Sequence, residues 1–314
     1  MKKILITGGA GFIPSSLADA LLATGQYSIV AIDNFLTGRK EFVANHLHYK
    51  FIKCDVNDAH DIAAVMLHHN FDYVFHYAAV VGVKRTIENP KQVLDDIKGL
   101  QNIFELAKNT SVKRIFFSSS SEVYGEPVHL PQHEFDTPLN SKLPYAVVKN
   151  IGECFCRSYK EEFNMNYTIF RFFNTFGPKQ SEDFVIAKFL KAALHGKDIT
   201  VYGDGSQTRT FCYIDDNLEF TLKVLENDLF VNDVVNVGND QLTSINELAD
   251  TIIRLTSSTS QLINLPPLKE GDMTRRQPDN QKMLSVLNRP LVTLEEGLNK
   301  ILVSTGGIKE MVCL

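Results

Sequence analysis

A chain of 314 residues with 44% hydrophobic content can hold one large domain or two modest ones around an ordinary core. A formal charge of -5, a pI near 6.0 and no long block of like charge provide no basic field, so neither nucleic acid nor an anionic membrane surface is an expected partner. The apolar run after Met1-Lys2-Lys3 is too short for a signal peptide or a membrane span, and the five cysteines (Cys54, Cys154, Cys156, Cys212 and Cys313) show neither disulfide density nor zinc spacing, so a cytoplasmic chain without a metal site is expected.

Lys3 to Ile6 form an apolar run that breaks into Thr7-Gly8-Gly9-Ala10-Gly11 and resumes at Phe12-Ile13 as an amphipathic segment, which predicts strand, tight turn and helix. Gly8 and Gly11 lack the Cβ atoms that would keep a pyrophosphate from the backbone, and the amides of Phe12 and Ile13 open the helix toward an anion. Pro14 takes the place of the third glycine of such turns; a first helical turn tolerates it, but it puts the closeness of helix packing in question. A second apolar run, Ser28 to Ile32, ends in Asp33, where a dinucleotide-binding unit places the acid that grips the adenosine ribose. A carboxylate there repels a 2′-phosphate, so NAD is the expected cofactor, with Arg39 and Lys40 as the residues that argue for NADP.

The alternation continues through Tyr49 to Lys53, Asp58 to Asn70, Asp72 to His76, Pro90 to Asn109 and Val112 to Ser118, which predicts an α/β fold with a doubly wound parallel sheet. Asp55, after the third strand, is placed either to accept from the adenine amino group or to cap the next helix. A long helix opens near Tyr145 and runs to about Asn164, and Tyr167 to Phe172 reads as another strand. Beyond Asn174 the elements shorten, with breaks at Gly177-Pro178, Gly203-Asp204-Gly205 and Leu265-Pro266-Pro267. The expected division is a dinucleotide-binding domain over 1–174 and a smaller, loop-rich substrate domain over 175–314, with some segments of the latter returning to the former.

Tyr145 and Lys149 stand one helical turn apart on one face, and Ser118-Ser119-Ser120-Ser121 closes a strand. With a dinucleotide nearby these describe a redox site. A phenol with an ordinary pKa near 10 is a poor base, but an adjacent ammonium favours the phenolate, which can take the proton of a substrate hydroxyl while hydride leaves its carbon.

The sequence resembles the extended short-chain dehydrogenase/reductase family, in its nucleotide-sugar epimerase, dehydratase and decarboxylase branch, over nearly its whole length. The matching pieces are Thr7 to Ile13, Asp33-Asn34-Phe35, His76-Tyr77-Ala78-Ala79, Ser118 through Tyr124-Gly125, Tyr145-x-x-x-Lys149, Arg171-x-x-Asn174-x-Phe176-Gly177-Pro178, and Val201-Tyr202-Gly203-Asp204-Gly205-x-Gln207-x-Arg209. The resemblance implies a Rossmann domain in which Asp33, Asn34, Ala78 and Ala79 line the cofactor, Lys149 anchors the nicotinamide ribose, and Ser120 works with Tyr145 on the reacting hydroxyl. It implies that Asn174, Arg209 and one of Arg275 or Arg276 hold the diphosphate of a nucleotide sugar, with Tyr202 beside them; guanidinium forks suit phosphate oxygens. It also implies a homodimer, paired through the two long helices.

Every branch of the family begins by oxidising a sugar hydroxyl, usually at C4, to a ketone, and the branches differ in what that ketone then permits. Net 4-epimerisation asks for the fewest further groups and is the favoured reading. Decarboxylation of a UDP-glucuronate-type substrate and 4,6-dehydration of the sugar are the alternatives, and an NAD-sensing binding protein is the non-enzymatic one. Glu122 in Ser120-Ser121-Glu122 is the candidate to handle a proton near C5, and Lys84 or Arg85 is placed to meet a substrate carboxylate.

Overall fold

The computed structural model describes residues 1–266 and 275–304, without the side chains of residues 83, 84 and 87. In the first strand, β1 (Lys2–Thr7), Ile4, Leu5 and Ile6 are fully buried. A strand buried on both faces needs cover on both, so its neighbours arrive through helical crossovers. α1 (Phe12–Ala23) leads to β2 (Tyr27–Asp33) and β3 (Tyr49–Lys53), and α2 (Ala59–His68) brings the chain back to β4 (Tyr73–His76). Next come α3 (Val83–Glu88), α4 (Pro90–Lys108), β5 (Arg114–Ser120), a 3-10 turn over Ser121–Tyr124, α5 (Pro144–Phe163) and β6 (Asn166–Phe172). The later elements are β7 (Thr175–Phe176), α6 (Val185–Leu194), β8 (Ile199–Tyr202), β9 (Thr208–Arg209), β10 (Cys212–Tyr213), α7 (Ile214–Glu226), β11 (Asp233–Val237), β12 (Thr243–Ser244), α8 (Ile245–Thr256), β13 (Leu262–Leu265), α9 (Gln281–Leu287) and α10 (Leu294–Ser304).

Seven strands form one sheet in the order β11-β6-β5-β4-β1-β2-β3, parallel from β6 through β3. The chain winds outward from β1 through β2 to β3, then restarts on the other side at β4. The topological switch point therefore lies between β1 and β4, and ligand crevices form at the carboxyl ends of strands that part this way.

One core gathers Leu5, Val30, Val74, Ile115, Phe117 and Ile169 of the sheet with Val65 of α2, Phe104 of α4 and Val148 of α5. The alternate residues Phe75, Phe116 and Phe170 stack across three neighbouring strands, with ring centroids 4.4 and 6.0 Å apart. Each fully buried ring contributes about 1.5–3 kcal/mol. α5 opens with Pro144 at its first position, where a missing N–H costs nothing, and ends at left-handed Asn164. Its Gly152 presses on β5: a Cβ there would lie 2.2 Å from Phe117 Cζ.

The chain divides into two compact units. The first comprises 1–125, 139–172 and 220–235, and the second 126–138, 173–219 and 236–314. Segment 126–138 groups with the second unit, and the main break falls at 172/173. There Gln132 N donates to Gln277 O and Asp279 N donates to Gln132 O, an isolated bridge that makes 126–138 part of that unit. The second unit also holds three two-stranded pairings, β10 with β7, β12 with β9 and β13 with β8. Among the described residues no helix is long and apolar enough to cross a membrane.

Candidate active site

The glycine turn lies where β1 and β4 part. Gly8 has φ +71, and a Cβ there would meet the backbone N and Cα of Ala78 at 3.0 Å, so only glycine lets the two strand ends approach this closely. Thr7 stitches them together. Its Oγ1 accepts N–H bonds from Tyr77 and Ala78, both at 3.0 Å, which uses its acceptor capacity and directs its own proton to His76 Nδ1 at 2.9 Å. Desolvation, followed by the Lys149 charge, pushes the His76 pKa down to about 3, so the ring is a neutral acceptor at Nδ1.

Gly11 is the N-cap of α1 and no side chain caps the helix, which leaves its opening N–H groups with the capacity to bind an anion. Pro14 is buried in that first turn. The close approach to the sheet is made instead by Gly9, whose Cβ would lie 2.6 Å from Ala31 Cβ. Asp33 Oδ2 accepts from Ala10 N at 3.1 Å and Oδ1 from Phe35 N at 2.7 Å, which ties the glycine turn to the loop after β2. Burial raises its pKa against these two donors. Asn34 Nδ2 donates to Asp55 Oδ2 at 3.0 Å, and Asp55 Oδ1 accepts from Asn57 N at 2.9 Å. The cap of α2 is Asp58, which takes the amides of His60 and Asp61, so the capping alternative for Asp55 is excluded. A turn with glycine at positions 8, 9 and 11, a helix start without a side-chain cap and an acid after β2 together fit a dinucleotide.

The same unit carries the candidate reactive groups. Lys149 Nζ donates to Ser118 O at 2.6 Å and Ser118 Oγ at 3.1 Å, and sits 5.7 Å from the centre of the Tyr145 ring. Two of its three donors are thereby spent, and the ammonium is aimed. Desolvation lowers its pKa to about 8, with Asp96 acting in the opposite direction. Ser120 Oγ accepts from Glu122 N at 3.2 Å, a bond that leaves the hydroxyl proton available to a substrate. The 3-10 turn holding Glu122 packs on α5, and Ser141 N donates to Val123 O and Asn140 N to Tyr124 O just ahead of that helix. Gly125 permits this: it has φ +68, and a Cβ would lie 2.8 Å from Ser141 N. Tyr145, Lys149, Ser120 and Glu122 are thus assembled on one scaffold, at the carboxyl end of β5 and the start of α5.

Residues 4–238 match the model of the NAD dependent epimerase/dehydratase family. The chain belongs to this family. Within the NAD dependent epimerase/dehydratase family it is 34% identical over 95% of its length, and 96% of the relative's, to UDP-N-acetyl-alpha-D-glucosaminuronate decarboxylase of Bacillus cytotoxicus. Among solved structures it is similar to UDP-glucose 4-epimerase of Thermotoga maritima with UDP-glucose (TM-score 0.89, 31% identity, 96% and 97% of the two chains). It is also similar to UDP-glucuronic acid 4-epimerase of Bacillus cereus in complex with UDP-glucuronic acid and NAD (TM-score 0.88, 29% identity, 99% of each chain). The expected Rossmann fold and NAD dependence accord with these relatives.

The residues that the resemblance assigns to the diphosphate, with Tyr202, lie in the second unit, whereas Lys84 and Arg85 lie in the first. Asn174, at φ 35, donates from Nδ2 to Thr210 O at 3.0 Å, next to Arg209, so these two candidates are neighbours. Arg209 is buried and donates from Nη1 to Thr208 O; Arg276 is buried, Arg275 is exposed, and Tyr202 is exposed with Lys188 Nζ 5.5 Å over its ring. The Lys84 side chain lies outside the described residues, and Arg85 Nη1 donates to Val81 O within its own turn.

Sequence reasoning missed Thr7 and His76, whose pairing spans 69 positions and leaves no linear trace, and the close-packing role of Gly9. It also missed Glu153, although Tyr145, Lys149 and Glu153 recur at helical spacing.

Proposed function

We propose that this enzyme oxidises the sugar of a UDP-hexose at C4 to a transient ketone and returns hydride to the opposite face, a net 4-epimerisation. The observation that carries the reading is the desolvated Lys149 ammonium, held by Ser118 5.7 Å from the Tyr145 ring. When bound, NAD supplies the hydride acceptor and later the donor. Gly8, Gly11, Phe12, Ile13, Asp33, Asn34, Asp55, Ala78 and Ala79 are the residues we propose to hold it.

Tyr145, as phenolate, takes the proton of the C4 hydroxyl, and the neighbouring ammonium offsets the charge. Ser120, with its oxygen accepting from Glu122 N, donates a hydrogen bond to the reacting oxygen and orients it, keeping its own proton. On return Tyr145 gives the proton back. Asn174, Arg209 and Arg276 are the proposed diphosphate ligands, with Tyr202 and Arg275 beside them.

Glu122 supports a second reading, decarboxylation of a nucleotide uronic acid, the activity named for the Bacillus cytotoxicus relative. A 4-epimerase asks for no carboxylate beside Ser120, whereas chemistry next to the ketone can use one. Incubation with UDP-glucose, UDP-glucuronic acid and their N-acetylated forms, followed by mass measurement, separates the two. Unchanged mass with inverted C4 supports epimerisation, loss of carbon dioxide supports decarboxylation, and loss of water refutes both. We also propose a homodimer through α4 and α5, where Leu94, Val147 and Phe163 are exposed; sedimentation as a monomer would exclude it.

A further inference from the structure

A buried ionic cluster lies one turn below Lys149 on α5. The Glu153 carboxylate is wholly buried; its Oε1 accepts from Ser119 Oγ at 2.7 Å and Arg171 Nε at 2.8 Å, and its Oε2 from Arg171 Nη2 at 2.7 Å. Arg157 Nη1 adds a longer bond at 3.4 Å. Arg171, from β6, donates Nη1 to the Tyr124 hydroxyl at 2.9 Å and lies 4.8 Å over that ring, which is itself fully buried. Burial pulls the Glu153 pKa upward, but the Arg171 bonds and charge outweigh it and hold the carboxyl below its ordinary value.

Stability alone does not account for this arrangement. Desolvating two charges costs about what their attraction returns, and an apolar pair of the same volume often serves a fold as well or better. An apolar pair cannot grip hydroxyl groups. The two gripped here, on Ser119 and Tyr124, bracket Ser120 and Glu122 in sequence, and the third element engaged is the helix that carries Tyr145 and Lys149.

We infer that Glu153, acting through Ser119, Arg171 and Tyr124, is a positioning residue that sets the loop bearing Ser120 and Glu122 in register with the α5 face bearing Tyr145 and Lys149. For its catalytic readout this rests on the proposed oxidation at C4. Misplacing a reacting group by about 1 Å costs up to about 100-fold in rate, so register is worth a buried charge pair.

The test uses the full-length, NAD-loaded protein carrying Glu153→Leu with Arg171→Met, which removes both charges together. The expected result is a melting temperature at or above that of the wild type, unchanged NAD content and KM, and kcat lower by about 10- to 100-fold. A double variant with wild-type kcat overturns the inference, because a purely structural pair is replaceable. Should the double variant not fold, Ser119→Ala and Tyr124→Phe each delete one gripped hydroxyl and leave the ion pair; a fall in kcat at constant KM and melting temperature supports the inference, and wild-type kcat in both overturns it. If the wild type turns over no nucleotide sugar, it is the functional reading that fails. The inference is then decided by amide hydrogen exchange over residues 119–125, faster in these variants if the cluster sets the loop and unchanged if it does not.

Discussion

Replacing Lys149 with Met removes the ammonium and keeps the length and volume of the side chain. In the wild type Nζ lies 5.7 Å from the Tyr145 ring centre. Taking about 6 Å as the charge separation and an effective dielectric of about 20, the attraction between ammonium and phenolate is about 2.8 kcal/mol, or about 2 pKa units. Without it the phenol ionises about 2 pH units later, so kcat at pH 7, where the Lys149 amine is still protonated, falls by about 100-fold, and the variant's rate rises about tenfold per pH unit as the buffer is made more alkaline. The assay is a pH–rate profile on protein of verified NAD content. A loss that is the same at every pH, with the limb unmoved, would refute the electrostatic role and leave Lys149 only a structural or cofactor-holding one.

Tyr145→Phe should retain NAD and lose turnover by at least about 100-fold, the low end of general acid–base catalysis, as measured by product formation and bound-cofactor content. The folded pKa of Lys149, about 8, lies below the ordinary 10.5, so burying the ammonium costs stability in full below about pH 8 and that cost is relieved as pH rises toward 10.5. The NAD-free wild type therefore gains about 3 kcal/mol from this group across that window and Lys149→Met gains none; parallel urea-unfolding curves for the two would contradict the shift. Gly8→Ala forces a side chain to φ +71 against the Ala78 backbone, so it should cost about 1–2 kcal/mol in thermal unfolding and weaken NAD binding by calorimetry. Asp33→Asn replaces a carboxylate that accepts from both Ala10 and Phe35, and its amide nitrogen cannot accept; NAD affinity should fall while discrimination against NADP narrows, and equal affinities in wild type and variant would count against the assignment.

The central strands were legible because burial on both faces writes them as unbroken apolar runs. Tyr49–Lys53 lies where the pattern places it, and the Pro90 helix ends at Lys108, one residue short of Asn109. The glycine turn and the spacing of Tyr145 and Lys149 were legible because local backbone geometry and one helical turn decide them. Features set by long-range contact were not. The grouping of 126–138 with the second unit depends on Gln132 meeting Gln277, and the tautomer of His76 depends on Thr7 being saturated by the amides of Tyr77 and Ala78. The Glu153 carboxylate has the sequence pattern of a solvated helix charge, and only its meeting with Arg171 makes it a buried one. In the proposed reaction the outcome after oxidation is not written in the motifs, because groups around the sugar ring would decide it rather than those proposed to take the C4 proton.

The most direct test of the account is to mix NAD-loaded wild type and Tyr145→Phe with UDP-glucose and UDP-glucuronic acid and follow the near-ultraviolet absorbance of reduced nicotinamide in single-turnover experiments. Transient reduction in the wild type, absent from a variant that still holds NAD and sugar nucleotide, is the predicted result. Equal reduction in both proteins would contradict the assignment of Tyr145 as the base.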